Sequence, residues 1–213
     1  FGFYSFRTTF APMKEKILET ATELFLNMGF KSVTMDDLAE QMAISKKTIY
    51  THFKNKTDLV EQCTLSLFHK ISHGIDCICE KGKNPIEELY EVKQFALANL
   101  KDEKTSPHYQ LKKYYPQISK TLQMKQYDVV KECIRSNIQR GIDQGLYREN
   151  LNADLIARIY FTGMTSLKDD RLFPRHSFPM VPLMNEHLEY HLRGIVTPKG
   201  RAILNSIINS NQD

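Results

Sequence analysis

The sequence contains no apolar run approaching the ~18 residues of a bilayer-spanning helix, so no membrane contact is expected. Cysteine is scarce: Cys63, Cys77, Cys79 and Cys133 are the only four in 213 residues, and no Cys-x-x-Cys pair occurs among them. That excludes a zinc ribbon and a small disulfide-stapled fold, and suits reduced thiols in the cytoplasm. Charge of one sign is equally thin. Lys plus Arg number 29 against 25 Asp plus Glu, a net charge of +4, too little to mark the whole molecule as a polyanion binder. Also missing are a Gly-rich phosphate loop after a strand, a Gly-x-Ser-x-Gly elbow and a His-Glu-x-x-His helix. No enzyme and no cofactor are expected.

What remains is helical. From Lys14 onward apolar residues recur at the 3.6-residue period, with no two-residue alternation and no Asn-Gly or Asp-Gly hairpin signal, so the fold is expected to be all-α. Residues 1–12 carry five aromatics and no charged-then-apolar leader, and Met13-Lys14-Glu15-Lys16 reads as a natural start. We treat 1–12 as a cloning remnant or disordered extension. Three short helices fit between Lys14 and Phe53. The first carries Ile17, Leu18, Ala21, Leu24, Phe25 and Met28 and stops at Gly29. Thr34 caps the second in a Thr-x-x-Asp box with Asp37, and Ser45 caps the third after a turn at Ala43-Ile44. A helix of about 24 residues then leads into a larger bundle, at about 36 Å long enough to join head to body. The expected domains are a helix-turn-helix head over 13–57 and a helical body over 58–213.

Between Ser45 and Lys56 the chain has four lysines, one histidine and no acid. Ile49 and Phe53 point inward at i,i+4, which leaves Lys46, Lys47, Thr48, Tyr50 and Thr51 outward or on the flank. Cations, hydroxyls and a phenol on one small helix suit a DNA major groove: lysines meet phosphates, and lysine or hydroxyl tips meet base-edge acceptors. Met35–Met42, the turn, and Lys46–His52 have the dimensions of a helix-turn-helix. With Ala21-x-x-Leu24-Phe25, Gly29-Phe30, Thr34-Met35-x-x-Leu38-Ala39, Ile44-Ser45 and Thr48-Ile49-Tyr50-x-His52-Phe53-x-Asn55-Lys56, the stretch Ile17–Leu59 closely resembles the TetR/AcrR family of bacterial transcriptional regulators. Gly141-x-x-x-Gly145-Leu146-Tyr147-Arg148 and Leu192-Arg193-Gly194-Ile195 resemble looser family patterns.

The resemblance implies an operator-binding homodimer, a repressor released by an unidentified small molecule held in the body. It implies that Lys46, Lys47 and Thr48 approach bases or nearby phosphates, and that Tyr50, His52 and Lys56 contact the backbone. Thr34, Ser45 and Thr51 complete the expected DNA-binding set; Thr34 and Lys56 stand at helix N-termini that favour an anion. Asp36 and Asp37 stand where some relatives present a cation. Late helical stripes offer Ile156, Tyr160, Met184, Leu188, Tyr190 and His191 for the dimer contact. Tyr90, Phe95, Tyr109, Tyr114, Met124, Tyr127, Phe161 and Met164 are the expected ligand lining, although each also suits plain core. The proline-rich, apolar interval Arg171–Pro182 is expected against a partner subunit, over a cavity entrance or on its own body. His69 with His73, and His187 with His191, have metal-clamping i,i+4 spacing but no evident third ligand, so no metal is assigned. The alternatives are a helical interaction module that keeps the head without reading DNA, and a metal-responsive regulator.

Overall fold

The computed structural model describes residues 12–99 and 107–210, which excludes all of the amino-terminal extension but Pro12. Within them lie ten α-helices: α1 (Met13–Met28), α2 (Met35–Gln41), α3 (Lys46–His52), α4 (Lys56–Cys79), α5 (Pro85–Asn99), α6 (Pro107–Tyr114), α7 (Pro116–Asp143), α8 (Ala153–Ser166), α9 (Met180–Ile195) and α10 (Pro198–Ser210). No sheet forms among the described residues; Tyr147 and Val196 make an isolated antiparallel bridge. No described helix is long and apolar enough to cross a membrane.

The described residues fall into two compact units, a head of 12–67 with 107–118 and a body of 68–99 with 119–210. The sequence reading ended the head at Thr57. Here the division falls ten residues later, inside α4, because Leu59, Val60 and Cys63 on its first turns are buried. The head also holds α6. Leu111 is buried and Phe30 meets Tyr115 edge-on at 6.1 Å between ring centroids.

Local chemistry explains the head's outline. Ile17, Ala21 and Phe25 bury one stripe of α1, whereas Met28, which the periodicity placed on that stripe, is half exposed. Gly29 ends the helix at φ +87°, and an added Cβ there would strike the Gln110 amide. Thr34 and Asp37 close the capping box that starts α2. After α2 the Ile44 N–H donates to the Ala39 carbonyl and the Ala43 N–H to Glu40, both at 3.0 Å, with Ala43 at φ +53°. This is a Schellman closure with alanine in the position glycine usually takes.

In the body, α5, α7, α8, α9 and α10 contribute to one core that includes Ile86, Leu89, Ile138, Ala157, Leu192 and Leu204. Asn84 caps α5 through the Ile86 and Glu87 N–H groups, and Asn152 caps α8 through Leu155. The Gly141–Arg148 pattern has a packing reason. A Cβ on Gly141 would fall 2.0 Å from the Tyr147 ring, so only glycine lets that ring lie on α7. The Tyr147 hydroxyl donates to Asn137, whose amide donates to Glu88, and Arg140 pairs with the same fully buried carboxylate. Arg148 N–H to Ile195 and Thr197 N–H to Leu146, both 2.9 Å, tie this turn to the end of α9.

Three residues expected at the dimer contact lie inside the chain. Leu188, Tyr160 and His191 are buried by the body's own core, since the apolar stripes of α8 and α9 face each other within one chain. Ile156 and Met184 are half-buried and Tyr190 is 81% exposed. The helix expected after Pro182 begins earlier, at Met180, with Pro182 in its first turn where a missing N–H costs nothing. In the interval before it, Phe173 and Phe178 meet edge-on at 5.7 Å, while Leu172 and Phe178, with Val181 in the first turn of α9, remain exposed.

Candidate nucleic-acid interface

The second helix of the α2–turn–α3 unit is fixed from below and open above. Ile49 and Phe53 are fully buried, whereas Lys46, Lys47, Tyr50 and Thr51 are exposed and Thr48 and His52 are half-buried. The Ser45 hydroxyl accepts from the Thr48 N–H at 3.0 Å and shares a 2.9 Å hydrogen bond with the Thr48 hydroxyl. Thr51 donates to the Thr48 carbonyl at 2.6 Å. The His52 ring lies 6.5 Å from that of Phe53, tilted rather than stacked.

The flanking charges are held by their own partners. The Thr34 N–H donates to the Asp37 carboxylate at 2.7 Å and the Asp37 N–H to the Thr34 hydroxyl at 3.1 Å. The backbone bond from Thr34 is the first cause that keeps the Asp37 carboxyl below the usual aspartate range. Lys46 donates to Asp36 at 2.8 Å, which raises its ammonium above the ordinary lysine value. Lys56, at the start of α4, reaches the Lys31 carbonyl at 3.4 Å; partial burial lowers its pKa. The expected DNA-binding residues lie at the starts of α2, α3 and α4 and, for Tyr50, Thr51 and His52, along the rest of α3. Sequence reasoning missed the Asp36–Lys46 bond, because ten residues and a turn separate the two.

The residues expected to line a ligand site lie at several places in the fold. Tyr90 and Phe161 are buried; Tyr127 meets Phe161 edge-on at 5.3 Å, Lys93 sits 4.5 Å from the Tyr90 ring centre, and Met164 packs against the body core. Phe95 lines a groove of about 520 Å³ with Gly74, Cys77, Ile78, Lys81 and Glu91. Tyr109 and Tyr114 belong to the head and are exposed, as is Met124. Of the cysteines only Cys63 is buried; desolvation pushes its thiol up to about 12. His187 stacks on Tyr160 at 5.4 Å and His191 lies 4.6 Å from the same ring. Among the described residues no three metal-capable side chains cluster.

Residues 17–63 match the family model described as bacterial regulatory proteins, tetR family. The amino-terminal head is a TetR-family domain. The matched span runs from within α1 into the first turns of α4. Beyond this TetR-family head, likeness continues at lower identity. The repressor KstR2 of Mycolicibacterium smegmatis is 23% identical over 155 residues, 70% of this chain and 74% of that protein. The biofilm operon negative regulator IcaR of Staphylococcus aureus is 33% identical over 79 residues, 37% of this chain and 42% of its own length. Among solved structures, a transcriptional regulator from Saccharomonospora viridis in complex with choline superposes with a TM-score of 0.69 at 22% identity, covering 86% of this chain and 97% of that one. SmeT, repressor of a Stenotrophomonas maltophilia efflux pump, gives 0.68 at 15% identity, covering 88% and 92%. The chain therefore shares its fold with these two solved structures over most of its length.

Proposed function

We propose that the protein is a transcriptional repressor that grips operator DNA as a homodimer and is released when a small molecule occupies the body. The observation that carries this reading is the presentation of α3: two fully buried anchors below, with Lys46, Lys47, Tyr50 and Thr51 exposed on the other side. A helix held so can enter a major groove without unfolding its support, while lysines lower the electrostatic cost of approach. Two relatives at the sequence level bear the names repressor and negative regulator, which favours repression over activation.

Two copies are needed because one short helix reads too few base pairs; a symmetric pair reads two half-sites one or more helical turns apart. Exposed apolar side chains on α8, Leu155 and Ile159, and Tyr190 on α9 supply the surface for that pairing. Effector release follows from linkage: a ligand that binds better to the arrangement unable to span both half-sites weakens operator affinity by its differential binding. The body groove beside Phe95 is the place to seek that ligand.

Selection of bound fragments from random duplex DNA, followed by titration of the recovered sequence, tests the reading. Lys46→Ala/Lys47→Ala should lose operator affinity by about tenfold or more and flatten the salt dependence by about two counterions. A protein that enriches no sequence and shows no salt-dependent duplex affinity is not a DNA reader.

A further inference from the structure

We infer that the DNA surface extends beyond α3 and the start of α4 onto α6, where Lys31 and Lys113, gathered about Tyr114, and Lys112 in the same last turn of α6 grip the phosphates of DNA flanking the operator. This rests on the reading of the head as a DNA reader.

The placement of α6 makes the extension possible. It belongs to the same compact unit as the recognition helix, and the Gln110 side-chain oxygen accepts from the Lys31 N–H at 3.3 Å. The exposed Tyr114 ring then gathers two cations from distant parts of the chain. The Lys31 ammonium lies 5.5 Å from its centre and that of Lys113 5.4 Å; Lys113 is also 5.6 Å from the Tyr109 ring. Lys56 at the start of α4 reaches the Lys31 carbonyl at 3.4 Å, and the Lys31 ammonium lies over the Tyr114 ring at the end of α6, so Lys31 stands between the two helices. The second site is therefore continuous with the first.

The charges point to a polyanion. Among the described residues none of Lys31, Lys112 and Lys113 forms an ion pair, whereas Lys46, Lys81, Lys83 and Lys131 each have a carboxylate within 4 Å. Lysines in a last turn also complement the helix dipole, but that accounts for Lys112 and Lys113 alone and not for Lys31 beside them. Grouped cations repel one another in the free protein, and a strand that carries one phosphate per about 3.4 Å of axis relieves that repulsion as its counterions leave. Lysines on flexible stems are point charges suited to phosphates rather than to the bidentate reading of base edges. The site should strengthen binding without choosing sequence.

The test titrates three proteins across a salt series on one long duplex of arbitrary sequence: wild type, Lys46→Ala/Lys47→Ala, and Lys31→Gln/Lys112→Gln/Lys113→Gln. Each lysine lost from phosphate flattens the log–log salt slope by about 0.9. The triple variant should therefore lose two to three counterions, roughly, and bind about tenfold more weakly near physiological salt. Selection from random duplexes should return the wild-type sequence preference. An unchanged slope, or an altered sequence preference, overturns the inference. If Lys46→Ala/Lys47→Ala flattens the slope and the triple variant does not, the inference fails while the DNA-reader assignment stands. A wild-type protein without salt-dependent duplex affinity overturns both. If the triple variant does not fold, the exposed Lys113→Gln decides alone: a slope shallower by about one supports the inference, and an unchanged slope ends it.

Discussion

The Lys46 ammonium donates to the Asp36 carboxylate at 2.8 Å, tying the first residue of α3 to the first turn of α2. Both side chains are largely exposed, so the bond is a loose one that phosphate can displace. Asp36 thus competes with DNA for a cation on the recognition helix. Asp36→Asn should raise duplex affinity by about two- to fivefold at low salt and steepen the salt slope by about one. Unchanged affinity in a salt series would show that Lys46 is not a DNA contact.

The turn of the helix-turn-helix carries a removable strain. Ala43 holds φ +53° to close the end of α2, a conformation that costs a residue with a Cβ roughly 1–2 kcal/mol. Glycine there relieves that strain but gives back some unfolded-chain entropy. Ala43→Gly should therefore stabilise the head by about 0.5–1 kcal/mol, read as a raised denaturant midpoint at constant m.

The capping box should govern the head's response to acid. Thr34→Ala removes the hydroxyl that accepts from Asp37 and should destabilise by about 1 kcal/mol. Asp37 is depressed in the folded state, so its contribution is present above the ordinary aspartate value near 3.8 and is lost as pH falls through the lower folded value. Asp37→Asn should flatten that acid limb in a urea series run from neutral pH downward.

A second pH effect belongs to the body. His191 is buried against Tyr160 and beside His187, and desolvation, followed by repulsion from His187, lowers its pKa to about 4. The unfolded chain takes up this proton near 6.5, so stability should decline as pH falls from about 6.5 to 4 and then level off. His191→Leu should remove that part of the decline in thermal melts.

The buried network around Glu88 sets a stricter test of packing. Tyr147→Phe leaves the Asn137 side-chain oxygen without its donor and should cost about 1–3 kcal/mol. Gly141→Ala, which drives a methyl into the buried Tyr147 ring, should cost a similar 1–3 kcal/mol, roughly. Melting temperatures of the single and double variants should show the two effects to be non-additive, because both act on one ring.

Sequence alone determined what is local. The helical period set the all-α class, and Thr34, Ser45 and Asn152 announced the starts of α2, α3 and α8, because a cap needs only a side chain and the backbone three residues on. The lysine run over buried Ile49 and Phe53 was legible for the same reason: one helical turn fixes which faces oppose. Tertiary structure decided the rest. An amphipathic stripe states that a face is buried and not against what, so Leu188 and His191 could be assigned to a second subunit until their own chain was seen to cover them. It likewise took the folded head to bring α6 beside Lys31 and to set Asp36 against Lys46, since pairings across turns and between distant segments leave no periodic trace in the chain.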